Sequence, residues 1–136
     1  MENQLYPLTA KDQELIDSAS KVIQANYDKE NQNHTVGAAI RCADGKIFVG
    51  VNVYSLHGAC AEQVAIGSAV AHGEREFEAI VAVRGENGDE IIPPCGNCRQ
   101  MLSDYMPECD VILQGREKAL KTKAKYLLPF AYSVED

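Results

Sequence analysis

Cys60-Ala61-Glu62, followed much later by Pro94-Cys95-Gly96-Asn97-Cys98, offers three sulfur ligands for a metal and one carboxylic acid. Thiolates in this number suit zinc. A structural zinc is closed by four protein ligands, whereas a catalytic zinc keeps its fourth position for water. Cys60, Cys95 and Cys98 leave that corner open, and Glu62 lies close enough to Cys60 to work beside it. The chemistry this set suits is hydrolysis. Zinc lowers the pKa of bound water from about 15.7 toward ~7, and a neighbouring carboxylate relays protons from that water to a leaving group.

Three thiolates carry more negative charge than one zinc ion carries positive, so the surroundings must compensate. Helix N-termini aimed at the metal would each supply the equivalent of roughly half a positive charge. Arg99, adjacent to Cys98, offers more. Other readings compete. A lone C-x-x-C pair also suits a redox dithiol or a structural zinc, but a redox pair leaves Cys60 and Glu62 without a task. His57, three residues before Cys60, would close the site if it were a fourth ligand. The alternative from outside enzymology is a non-catalytic, zinc-stabilised binding protein, against which Glu62 argues.

The elements that must hold these residues can be read from periodicity. Leu15, Ile16, Ala19, Val22 and Ile23 recur at helical spacing between Thr9 and about Tyr27, with Thr9 or Asp12 as N-cap. Asp28 to His34 is a polar loop. Thr35–Cys42 and Lys46–Val53 then read as two strands of a hairpin joined by Ala43-Asp44-Gly45. Ala61 to Ala71 has helical spacing and stops near His72-Gly73, which places Cys60 at a helix start. Glu78 to Arg84 is a β-branched run suited to a buried strand, and Gly85 to Pro94 carries turn formers and reads as a loop. A third helix runs from Cys95 to about Tyr105, and Asp110 to Gln114 is another strand. This order predicts an α/β fold with helices on both faces of a sheet.

With 136 residues the chain is expected to form a single domain over 1–136 with a core that needs no disulfides. A net charge of -7 and a pI near 4.9 oppose nucleic-acid binding, which calls for a basic face. A small-molecule partner fits better. Lys118, Lys121, Lys123 and Lys125 read as a solvated surface. The opening residues lack the basic start and apolar run of a signal peptide, and apolar runs such as Ala79–Val83 are far short of the roughly 20 residues that cross a bilayer. A cytoplasmic protein without membrane contact is expected. Five cysteines, an odd number, also suit a reducing compartment, with Cys42 and Cys109 left over as buried small hydrophobes.

With these residues in view, the chain resembles the cytidine deaminase family, and within it the blasticidin S deaminases. The resemblance runs through Val36-Gly37-Ala38-Ala39-Ile40, Gly50-Val51-Asn52-Val53-Tyr54, Cys60-Ala61-Glu62, Pro94 to Arg99 and Leu127-Leu128-Pro129. It implies a three-layer α/β/α fold with a five-stranded mixed sheet, one Zn2+ per subunit on Cys60, Cys95 and Cys98, and Glu62 as the catalytic acid and base. It also implies a homotetramer whose active sites are completed across subunit boundaries. Substrate contacts would fall at Asn52, Tyr54, Ala61 and Tyr132, the last matching an aromatic residue near the C-terminus. The implied reaction is hydrolytic removal of the cytosine amine from a small nucleoside-like molecule.

The departures bear on the substrate. Cytidine deaminases usually carry Asn-x-Glu where this chain has Asn52-Val53-Tyr54, and that glutamate holds a ribose hydroxyl. Tyr54 cannot supply the same charge-assisted bond. A blasticidin S-type antibiotic, with a modified sugar and a cationic arm, is therefore favoured over cytidine or deoxycytidine, and an acidic protein attracts it. His34-Thr35 replaces a usual Phe-Pro, and Gln63 stands where many relatives have an arginine that eases the thiolate charge.

Overall fold

The computed structural model describes residues 4–134. Thr9 opens α1 (Ala10–Asn26) with a capping box in which Asp12 is the partner. Thr9 Oγ1 accepts from the Asp12 amide at 3.3 Å, and Asp12 Oδ2 accepts from the Thr9 amide at 2.9 Å. Both candidate caps thus act together. The inner face of α1 presents Leu15, Ala19 and Ile23, all fully buried.

β1 (Val36–Cys42) and β2 (Ile47–Val51) form the expected antiparallel hairpin. α2 (Ala61–Ala71) follows and ends where Gly73 takes a φ of 94°. β3 (Phe77–Arg84) pairs antiparallel with β1 and parallel with β5 (Asp110–Gln114). Between them come β4 (Glu90–Ile92) and α3 (Gly96–Tyr105). β6 (Ala119–Lys123) closes the far edge, and a 3-10 turn spans Ala124–Leu127.

The strand path is β2-β1-β3-β5-β6, the five strands expected of a mixed sheet. Two segments differ from the sequence reading. The stretch from Gly85 to Pro94 is not loop throughout, because Glu90–Ile92 forms a sixth, short strand against β3. Of the four lysines read as a solvated surface, Lys118 and Lys125 are exposed, but Lys121 and Lys123 belong to β6 and are partly buried. Lys121 Nζ lies 2.8 Å from Asp12 Oδ2 and 3.3 Å from Asp110 Oδ2, and Arg41 Nη2 reaches Asp12 Oδ1 at 3.2 Å. Asp12 is wholly buried, so its charge needs these partners.

Two apolar layers flank the sheet. α1 covers one face through Leu15, Ala19 and Ile23 against Ala39, Val81, Val83 and Ile112. α2 and α3 cover the other through Ala61, Ala65, Ile66 and Leu102 against Ala38, Ile40, Ile80 and Val111. This is a three-layer α/β/α architecture. Cys42 and Cys109 are buried within the second layer, as small apolar residues would be. α2 can lie close on β2 because Gly50 has no side chain: a Cβ there would stand 2.6 Å from the Ala65 nitrogen. No helix among the described residues is long and apolar enough to cross a membrane.

Candidate metal centre and active site

The three cysteines arrive from two helix starts. Cys60 is the N-cap of α2, Cys95 is the N-cap of α3, and Cys98 lies in the first turn of α3 with 1% exposure. Their sulfur atoms all lie within 4.8 Å of one another. The Cys60 and Cys95 Sγ atoms are 3.6 Å apart. Tetrahedral zinc with Zn–S bonds of about 2.3 Å sets its sulfurs roughly 3.8 Å apart, so the group fits that ion. Both helix axes contribute their positive ends, as the thiolate charge demands.

The thiols feel one another. Burial, with Glu62 next in effect, pushes Cys98 far up, and burial also raises Cys60. Burial would raise Cys95 too, but the Cys98 amide and the Cys60 side chain hold it below its ordinary value. Three thiolates this close coexist only with a cation among them. Cys42 also comes within 4.8 Å of Asp44 and Glu74, but burial pushes its thiol up to about 11, away from the thiolate a metal requires.

Glu62 sits in the first turn of α2 and is 6% exposed. Burial raises its carboxyl above the ordinary carboxylate range. It forms part of the wall of an open pocket of about 380 Å³ that also takes in Cys60, Cys95, Ala61, Asn52 and Tyr54. A buried acid beside a three-sulfur group, facing a pocket of nucleoside size, is an arrangement for hydrolysis of a small molecule.

Residues 9–112 match the family model described as the cytidine and deoxycytidylate deaminase zinc-binding region. The chain belongs to this deaminase family. It is 39% identical to a blasticidin-S deaminase of Bacillus cereus, covering 94% of this chain and 96% of that one. It is 38% identical to a cytidine deaminase of Sporosarcina psychrophila, over 74% of this chain and 76% of the relative. Among solved structures, the cytidine deaminase of Burkholderia pseudomallei superposes with a TM-score of 0.73 and 36% identity, over 92% of this chain and all of that one.

Within this deaminase fold, the residues singled out in the sequence meet different fates. Ala61 is buried against the pocket floor and Asn52 lines the wall. Asn52 Oδ1 accepts from the amides of Thr35 and Val36 at 2.7 and 2.9 Å, so its oxygen braces the start of β1. Its Nδ2 donates to Thr35 Oγ1 at 3.4 Å. Tyr54 stands on the rim with 74% of its surface exposed. Tyr132 lies outside the pocket wall of the single chain, and its carbonyl accepts from Gln100 Nε2 at 2.9 Å.

Arg99, expected to offset thiolate charge, takes other work. Arg99 does not face the sulfurs through a charge contact; its Nε donates to the Pro94 carbonyl at 2.8 Å and its Nη1 to that of Leu127 at 3.2 Å. It fixes the turn that delivers Cys95. Gln63 Oε1 accepts from the Cys60 amide at 3.0 Å and so fixes the other ligand. His34 Nδ1 bonds the Asn52 carbonyl oxygen at 2.8 Å, bracing the pocket wall from behind. His57 is outside the three-sulfur group but lines the pocket. Sequence reasoning passed over Ser55, Leu56 and Asn97, which also line it. Their signal was position alone, next to Tyr54 and between Cys95 and Cys98.

Proposed function

We propose that residues 1–136 form one zinc-dependent aminohydrolase domain acting on the cytosine ring of a small nucleoside-like molecule. The reaction consumes one water and yields the uracil form and ammonia. The observation that carries this is the burial of Glu62 beside the grouped sulfurs of Cys60, Cys95 and Cys98 at the pocket wall. When bound there, zinc supplies the Lewis acidity that makes water nucleophilic near neutral pH. Glu62 takes one proton of the attacking water and passes it to the ring nitrogen beside the reacting carbon, then takes the second from the added hydroxyl and gives it to the departing amine. Its burial, which raises its proton affinity, suits a group that must both accept and donate.

A blasticidin S-type aminoacylnucleoside is the favoured substrate, with cytidine or deoxycytidine second. Tyr54 occupies the place of the ribose-holding glutamate, and the match to the Bacillus cereus blasticidin-S deaminase spans 94% of the chain. The net charge of -7 favours a cationic substrate. A role in antibiotic resistance, a cytoplasmic location and a homotetramer that brings Tyr132 to a neighbouring pocket belong to the same proposal. Ultraviolet absorbance during incubation with each compound ranks the substrates. Conversion of blasticidin S is expected; rapid conversion of cytidine with none of blasticidin S reverses the order.

A non-catalytic zinc-stabilised protein is separated from an enzyme by Glu62→Gln. The variant should fold and bind zinc as before while turnover drops by roughly 10²-fold or more. Equal activity in variant and parent removes Glu62 from the proton relay.

A further inference from the structure

β3 has two partners on the same side. Ala79 and Ile80 pair with Asp110 and Val111 of β5, whereas Ala82, Val83 and Arg84 pair with Ile92, Ile91 and Glu90 of β4. The sheet forks between these ladders, and Val81 falls at the fork. A small cavity lies there, lined by Ile80, Val81 and Ala82 of β3, Ile92 of β4, Val111 and Ile112 of β5, with Leu102 and Pro94. Its remaining wall is Glu62. Glu62 and Ile92 also line the large pocket, so they form the partition between the two spaces.

The cavity gives about 10 Å³ of room for the centre of a water molecule, at the lower edge of what one water needs. Its lining is chiefly apolar, with a smaller polar share. Ile80, Ala82 and Val111 point their side chains to this face of the sheet, but those of Val81 and Ile112 belong to the opposite apolar layer. Alternation along a strand means that Val81 and Ile112 meet the cavity with their main chain. Peptide groups of Val81 and Ile112 and the side chain of Glu62 therefore border a space of one-water size, and a buried water is held by two to four polar partners.

We propose that the sheet fork is a single-water site that anchors Glu62 from behind, bridging its carboxyl to the main chain of β3 and β5. This rests on the reading of Glu62 as the proton carrier and adds how it is aimed. A carboxyl that must serve first the water and then the leaving amine loses rate steeply if its resting position shifts. The fork water is a positioning group for that carboxyl and takes no part in the bond changes.

Two measurements test it. A crystal structure of the zinc-loaded wild type, at a resolution that shows ordered solvent, should contain one water between Glu62 and the fork; density without it overturns the proposal. Ala82→Val and Val111→Ile each fill the cavity from a different strand. Each should lower kcat by on the order of tenfold to 10²-fold, with KM and zinc content unchanged and the fork water gone. If either variant folds, loses the water and keeps the parental kcat, the anchoring role is wrong. Should Glu62→Gln prove fully active while the wild-type crystal shows the water, the proton-carrier reading fails and the water site stands.

Discussion

Glu62 has the burial of a core residue and the chemistry of a surface one, and a metal ion on the neighbouring sulfurs would reconcile the two. A carboxyl that is 6% exposed resists ionisation, and Cys60 and Cys98, two of the three thiols crowded within 4.8 Å, resist it as well. A divalent cation among the sulfurs relieves both strains. Removing one ligand should therefore cost more than activity. Cys95→Ser is expected to lose the metal and lower the thermal midpoint, because Cys95 ties the start of α3 to that of α2. Elemental analysis of the purified variant checks this, and one zinc per subunit would count against the ligand assignment.

At the scale of elements, the site depends on how closely α2 approaches the hairpin. Gly50 allows it, with Val64 and Ala65 of α2 occupying the place a side chain would take. Gly50→Ala should push α2 outward and destabilise the fold by about 1–3 kcal/mol, with loss of turnover because Cys60 and Glu62 ride on the first turn of α2. Urea unfolding and activity, measured together, check both. The helix starts were legible in the sequence because their signals are local: Thr9 before a periodic run, Cys60 before an alanine-rich one, Gly73 after it. The hairpin was legible for the same reason, through Ala43-Asp44-Gly45. β4 and β6 were not, because three residues of turn-rich sequence and a lysine-rich run become strands only through partners far along the chain. Nor could spacing reveal that Arg99 would bond carbonyl groups instead of facing the sulfurs.

Across the whole molecule, the same kind of distant pairing sets the acid stability. Asp12 joins α1 to β1 through Arg41 and to β6 through Lys121. Burial would raise its carboxyl, but the Lys121 contact and the Thr9 amide hold it below the ordinary aspartate value. A depressed folded-state value means that the stabilisation is full above the unfolded-state pKa of about 3.9 and fades as pH falls through the folded one. The thermal midpoint should therefore drop as the solution is acidified below about pH 4. Asp12→Asn should blunt that drop and cost on the order of 1–3 kcal/mol at neutral pH, since each cation loses one charged hydrogen-bond partner but Arg41 keeps Glu78 and Lys121 keeps Asp110. A variant as stable as the parent at neutral pH would show that the network contributes nothing.

The family resemblance, the grouped sulfurs and the buried acid all converge on a metal with one free corner beside Glu62. X-ray absorption at the zinc edge of freshly purified protein addresses that corner directly. The spectrum should show three sulfur scatterers at about 2.3 Å and one oxygen, without the outer-shell pattern of an imidazole. Four protein ligands, a bound His57 ring, or no zinc at all would contradict it.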